Sequence, residues 1–221
     1  MRATEVKTVV QCDFDGTITE KDVSFLILDT FADGNWRRLL ADYREGRITV
    51  GVFNREAFAM VKADKQTLLN FIFGKKKVKI RTGFTELLSY CSRKGFQFVI
   101  VSNGLDFYIE AALRDSGVDN IDIYAAQTQF SPEGVRVQYI GPDGSQVEDN
   151  FKDAYTELFL SQGYRVVYIG NGISDFSAVR QAHYIFATGD LLAYCKEKNL
   201  NCIPFDDFND VVRGLELLPL R

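Results

Sequence analysis

The chain of 221 residues is 46 % hydrophobic and 25 % charged, with a formal net charge of −4. That length accommodates one α/β domain plus a smaller subdomain, and the interspersed acids and bases offer no basic face for nucleic acid. No apolar run reaches the ~20 residues that cross a bilayer, and the cysteines Cys12, Cys91, Cys195 and Cys202 lack the spacing of a zinc site or disulfide framework.

Met1–Glu5 leads into the first strand without an apolar leader segment, so no signal peptide is expected and a reducing cytoplasm is the expected compartment. Lys7–Cys12 reads as a buried strand. It runs into Asp13-Phe14-Asp15-Gly16-Thr17. Extended backbone points residues i and i+2 to one side, so Asp13 and Asp15 can face a common pocket. Converging carboxylates repel unless a cation or a shared proton intervenes. An ordinary strand end with an Asx turn at Asp15-Gly16 also accounts for the pair taken alone.

From Asp22 to about Gly74 the apolar spacing becomes helical, through Phe25, Leu26, Trp36, Leu39, Leu40, Phe53, Phe58, Leu68 and Ile72. A helical insertion of this length is too large for a crossover and reads as a separate lid. The run Lys75-Lys76-Lys77-Val78-Lys79 reads as a solvated linker. Regular alternation follows. Helices are predicted at Phe84–Arg93, Tyr108–Ser116, Phe151–Gln162, Phe176–Ala182 and Leu191–Lys198, and strands at Phe96–Val101, Ile121–Ala126, Arg165–Ile169 and Tyr184–Ala187. Glu133–Glu148 reads as a β-hairpin about Gly141-Pro142-Asp143-Gly144, and a last apolar segment surrounds Ile203. Strands alternating with helices indicate a Rossmann-like, doubly wound parallel sheet. The domain expectation is a core of residues 1–19 and 80–221 with a helical subdomain of residues 20–79.

Ligands bind beyond the carboxyl ends of strands in such a sheet. Three predicted strands end suggestively, in Asp13–Thr17, in Ser102-Asn103-Gly104, and in Gly170-Asn171-Gly172-Ile173-Ser174-Asp175, while Lys152 opens the helix after the hairpin. Each segment alone has an ordinary explanation as a turn, a helix cap or a surface lysine. Their order and placement together do not.

That order resembles the haloacid dehalogenase superfamily over essentially the whole chain. Within it the chain is similar to the phosphoserine-phosphatase-like branch with a C1-type cap. The stretches Cys12–Thr19, Ser102–Phe107 and Ala187–Leu192 look most like those of the methionine-salvage enol-phosphate phosphatases. The resemblance implies Asp13 as a nucleophile that forms an aspartyl-phosphate and Asp15 as the general acid and base. It implies Mg²⁺ held by Asp13, the Asp15 carbonyl, Asn171 and Asp175, with Lys152 balancing charge. Ser102, Asn103, Gly104, Gly16 and Thr17 are the expected phosphate contacts, and Asp22 a substrate contact.

The chain departs from the family at Asn171, where an aspartate is usual. An amide oxygen still offers a ligand but no charge, so weaker Mg²⁺ binding is expected. Arg44, Arg47 and Arg55 are candidate anion contacts in the lid. The arginine that phosphoserine phosphatases use falls near Ala57, with Arg55 out of register, which disfavours phosphoserine. His183, the one histidine, and Trp36 read as structural. The expected activity is Mg²⁺-dependent hydrolysis of a small phosphorylated metabolite by a monomer or homodimer, with no nucleic acid or membrane partner. Phosphoserine-phosphatase-like activity, transfer to another acceptor, and a non-catalytic phosphate-metabolite binder are the alternatives.

Overall fold

The computed structural model describes residues 6–74 and 78–219. Met1–Glu5 and the lysines of the Lys75–Lys77 run therefore lie outside the described residues. The strands are β1 (Thr8–Cys12), β2 (Gln97–Leu105), β3 (Asp122–Ser131), β4 (Gly134–Ile140), β5 (Gln146–Val147), β6 (Arg165–Gly170), β7 (Tyr184–Ala187) and β8 (Ile203–Pro204). They form one sheet in the order β5-β4-β3-β2-β1-β6-β7-β8. From β3 through β8 each neighbouring pair is parallel, and β4 and β5 extend that edge antiparallel.

β1 is buried at every residue and pairs with β2 on one side and β6 on the other. The chain reverses its winding direction there, which opens a crevice beyond the carboxyl ends of β1 and β6. The expected doubly wound α/β architecture is the one found.

Between β1 and β2 lie α1 (Val23–Phe31), α2 (Trp36–Arg44), α3 (Val50–Ala59), α4 (Lys65–Phe73) and α5 (Phe84–Lys94). The first four are begun by side chains that accept from orphan N–H groups: Asp22 from Phe25, Asn35 from Arg38, Thr49 from Val52 and Asp64 from Thr67. These caps explain why one helical pattern breaks into four short helices. The segment leaves and rejoins the sheet domain at one place, where Thr19 bridges Ile80 and Glu20 N–H donates to the Lys79 carbonyl at 2.9 Å. Trp36 is buried and lies 5.3 Å from the Phe25 ring.

The remaining helices are α6 (Asp106–Asp115), α7 (Phe151–Ser161), α8 (Gly189–Glu197) and α9 (Phe208–Leu217). Several expected elements differ in extent: β2 runs on through Ser102-Asn103-Gly104 to Leu105, where a strand end at Val101 followed by a turn was expected. The main hairpin is β3–β4, turning at Pro132-Glu133, because the polar run Gln127–Ser131 continues β3 as an edge extension. The pairing expected about Gly141–Gly144 exists as β4–β5 but involves a strand of only 2 residues. Residues 176–182 hold a short 3₁₀ turn, Ala178–Gln181, preceded by another at Ile173–Asp175. Helix α9 was not anticipated, although Asp207 and Asp210 form its reciprocal capping box.

Helix α3 lies on β4, and the approach is close. A Cβ on Gly51 would stand 2.3 Å from the Glu148 carbonyl oxygen, and one on Gly134 would stand 2.2 Å from that of Ala59. The inserted helices and the antiparallel extension thus meet above the carboxyl ends of the central strands.

Candidate active site

The loop after β1 forms the floor of a cavity of about 410 Å³, whose lining includes Asp13, Asp15, Gly16, Asp22, Ser102, Asn103, Gly104 and Asn171. Asp13 continues the sheet by donating its N–H to Ile169 at 2.9 Å, so its position is fixed by β6 as well as β1. Its Oδ1 accepts from Lys152 Nζ at 2.8 Å. Burial pushes the Asp13 carboxyl up to about 6, against the pull of the Lys152 ammonium.

Asp15 is held at both oxygens. Oδ1 accepts from the Val23 N–H at 2.8 Å and Oδ2 from the Tyr108 hydroxyl at 2.5 Å. Burial holds its carboxyl well above the usual range, the neighbouring Asp22 charge adds to this, and the Tyr108 hydrogen bond opposes it. Asp22, the α1 cap, is pushed up to about 7, chiefly by burial, while its bond from Phe25 N–H pulls down.

Gly16 adopts φ +71°, and a Cβ there would stand 2.3 Å from Asn171 Nδ2, so the loop needs glycine both for its turn and for this contact. Thr17 Oγ1 donates to Asn171 Oδ1 at 3.0 Å, which joins the loop after β1 to the one after β6. Ser102 is fully buried and its Oγ accepts from Gly104 N–H at 3.0 Å, leaving the hydroxyl proton for another acceptor.

Lys152 and Asp175 lie beneath the cavity rather than in its wall. Asp175 Oδ1 accepts from Lys152 Nζ at 2.6 Å and the Tyr168 hydroxyl at 2.7 Å, and Oδ2 accepts from the Asn171 and Gly172 N–H groups at 3.0 and 2.9 Å. With four donors its lone-pair positions are filled, and Asp175 presents no free oxygen to a metal. Lys152 spends its three protons on Asp13, Asp175 and Ser174 Oγ, the last at 3.1 Å. Burial alone would lower the Lys152 ammonium, but Asp13 and Asp175 outweigh it and hold it above the ordinary lysine value.

Among the described residues no group of three or more His, Cys, Asp or Glu side chains could hold a metal ion. Asn171 contributes to that result, since the position closing the site is an amide. Of the expected ligand side chains, the Asp13 carboxylate and the Asn171 amide line the cavity. An all-oxygen set fits a hard cation that keeps several of its waters, as Mg²⁺ does.

Of the three arginines proposed as anion contacts, only Arg44 lines the cavity, and it has no ion-pair partner among the described residues. Arg47 pairs with Asp42 and Glu45, and Arg55 with Glu148 in a separate groove against β3 and β4. Phe25, Leu40, Tyr43, Val50 and Phe53 supply an apolar wall. His183 Nδ1 accepts from the Val166 N–H at 3.1 Å and lies outside the cavity lining.

Sequence reasoning missed several residues that shape this site. Tyr108 and Ser24 brace Asp15, their hydroxyls 2.8 Å apart. Arg81 donates to the carbonyls of Gly16, Thr17 and Asp206 at 2.7, 2.8 and 2.8 Å, clamping the loop after β1 to the chain before α9. Asn54 on α3 donates to Tyr139 OH at 2.6 Å and to the Asn103 carbonyl at 3.0 Å, and Tyr139 OH donates to that same carbonyl at 2.7 Å. None of these sits in a motif, and only distant chain segments bring them together.

The haloacid dehalogenase-like hydrolase family matches residues 10–180 of the chain. A 2-hydroxy-3-keto-5-methylthiopentenyl-1-phosphate phosphatase of Geobacillus thermodenitrificans is 32 % identical over 215 residues, covering 95 % of this chain and 96 % of the relative. Its namesake from Brevibacillus brevis is 30 % identical over 95 % of this chain and 96 % of its own length. A substrate-bound phosphoserine phosphatase superposes with a TM-score of 0.69 at 18 % identity, covering 94 % of this chain and 98 % of that one, a likeness of fold.

Proposed function

From the premise that the chain belongs to the haloacid dehalogenase-like hydrolases and is a phosphoric monoester hydrolase, we propose that Asp13 is its nucleophile and Asp15 its general acid and base. The observation that carries this assignment is the placement of both carboxylates on one cavity floor at the sheet's switch point, with Lys152 on Asp13 and Tyr108 on Asp15. Their environments also part them. Asp13 is raised to about 6, while burial and the Asp22 charge hold Asp15 well above the usual carboxyl range. That direction favours Asp15 as the proton donor and Asp13 as the attacking carboxylate.

In that step an Asp13 oxygen attacks phosphorus while the bond to the leaving oxygen breaks. The Asp15 proton passes to the departing alcohol. The resulting Asp15 carboxylate then takes a proton from the water that hydrolyses the aspartyl-phosphate. Ser102 Oγ and the Asn103 N–H hold the phosphoryl oxygens; the Gly16 and Thr17 N–H groups expected to join them are spent inside the loop, on Thr19 Oγ1 and the Phe14 carbonyl, and Lys152 keeps the Asp13 carboxylate oriented. Asp13, the Asp15 carbonyl and Asn171 would hold Mg²⁺, which would supply positive charge against the phosphoryl oxygens. Asp175 positions Lys152 and the loop at Asn171.

Residues 20–79 act as a cap over a core of residues 1–19 and 80–221. Its apolar wall favours a leaving group with an apolar tail, in keeping with the methylthiopentenyl phosphate in the relatives' name, and Arg44 meets the polar part of that group. The free cysteines fit a reducing, cytoplasmic setting.

Phosphate release from a panel containing 2-hydroxy-3-keto-5-methylthiopentenyl-1-phosphate and O-phosphoserine, with Mg²⁺, tests the assignment. The methylthiopentenyl substrate is expected to show the higher kcat/KM, with turnover absent in Asp13→Asn. Retained turnover in that variant removes Asp13 as nucleophile. Added alcohols that gain phosphate at water's expense would show transfer instead of hydrolysis.

A further inference from the structure

Tyr108 stands in the first turn of α6, completely buried, with its hydroxyl between two cavity-lining side chains. It donates to Asp15 Oδ2 at 2.5 Å and lies 2.8 Å from Ser24 Oγ. Tyrosine has one hydroxyl proton, so with that proton on Asp15 the Ser24 hydroxyl donates to Tyr108. A buried tyrosine kept for its ring can satisfy its hydroxyl with any acceptor. This one is aimed at the carboxylate of the site.

The backbone is shaped around that contact. A Cβ on Gly104 would stand 2.2 Å from Asp15 Oδ2 and 2.4 Å from the Tyr108 oxygen. Only a residue without a side chain leaves room for the pair. The other carboxylate oxygen of Asp15 is fixed by the Val23 N–H at 2.8 Å. Both the tilt and the rotation of the carboxyl group are therefore set, one oxygen from α1 and the other from α6.

We propose that Tyr108, braced by Ser24 and given room by Gly104, is a positioning residue that aims the Asp15 carboxyl group at the leaving-group oxygen. The inference rests on the assignment of Asp15 as general acid. The step it serves is the one in which the phosphorus–oxygen bond breaks, the Asp13–phosphorus bond forms, and the proton of Asp15 moves to the departing oxygen. A well-aimed acid matters when the leaving group is a poor one, an alkoxide, and little when it departs as a stabilised anion.

The test compares kcat/KM for p-nitrophenyl phosphate with that for 2-phenylethyl phosphate in Mg²⁺, because kcat/KM reports only steps through departure of the alcohol. In Tyr108→Phe the aryl-to-alkyl ratio of kcat/KM should rise by about ten-fold, a fraction of the 10²–10⁴ that an acid typically supplies. Ser24→Ala, which keeps the tyrosine ring in the core, should move the ratio in the same direction by about three-fold. In an Asp15→Asn background Tyr108→Phe should change the ratio no further. A ratio within about two-fold of wild type in both variants, or a full further change in the Asp15→Asn background, overturns the proposal. Should Tyr108→Phe fail to fold, Ser24→Ala decides by itself. Failure of the underlying assignment shows separately, as turnover retained by Asp13→Asn or as Asp15→Asn leaving the aryl-to-alkyl ratio unchanged.

Discussion

Lys152 Nζ lies 2.6 Å from Asp175 Oδ1, and the two side chains are 1 % and 0 % exposed. A pair sealed this way is coupled to everything around it. Lys152 also carries Asp13, and Asp175 also carries the two N–H groups that begin the Asn171 loop. Removing one partner of such a pair leaves a buried charge uncompensated, which typically costs about 3–5 kcal/mol. Lys152→Met, which strips the countercharge from Asp13 and Asp175 together, is expected to lower unfolding free energy by roughly that amount, read from urea denaturation without metal. A loss below about 1 kcal/mol, the range of an exposed pair, would contradict this account.

Asn171→Asp adds a charge beside Asp13, on the side chain that accepts from Thr17. Without metal the variant should be less stable than wild type through like-charge repulsion. With Mg²⁺ the order should reverse, with affinity for the ion rising about ten-fold, equivalent to about 1.4 kcal/mol. Thermal unfolding across a Mg²⁺ titration reads both effects without any assay of activity. Unchanged or weaker affinity would remove Asn171 from the ligand set.

Asp22 gives a pH signature. Its carboxyl is raised from 3.8 to about 7 in the folded protein, mainly by burial, so the fold binds its proton more tightly than the unfolded chain does. The stability this group contributes is fully present below its unfolded value and is lost as pH rises through the folded one. Asp22→Asn retains an N-cap acceptor for α1 but has no charge to bury. The variant should match wild type near pH 4 and exceed it by up to about 4 kcal/mol above pH 7, with solvent in the cavity reducing that figure. Denaturation of the metal-free proteins at several pH values decides it; parallel stability curves would show that Asp22 keeps an ordinary carboxyl.

The motifs carried the α/β core and the floor of the site, since Asp13, Asp15 and Asn171 stand just past strand ends where the alternation of elements places them, while Ser102 sits inside β2, which runs four residues past the expected end at Val101. The long-range partners were hidden. Arg81 and Tyr139 reach the site through contacts across 65 and 36 positions of chain, and no local periodicity encodes such a meeting. The extension Gln127–Ser131 was missed for a different reason. A polar edge strand lacks the apolar run by which buried parallel strands announce themselves. Asp175 shows the limit of reading chemistry from spacing, because its place in the motif is compatible with a metal while its four hydrogen bonds leave no oxygen for one.

The seam at Thr19–Ile80 places the outgoing and returning chain side by side, joined by backbone hydrogen bonds and secured by Arg81. Beyond that seam the inserted helices touch the sheet domain again through α3, where Gly51 packs on Glu148 and Asn54 bonds Asn103 and Tyr139. Geometrically, a short turn joining the paired ends would reconnect the sheet domain, so changes in length or sequence within the inserted helices need not be transmitted to β1 or β6. Such an attachment leaves the cavity floor footed in β1 and β6 whatever the length of the chain inserted at the seam.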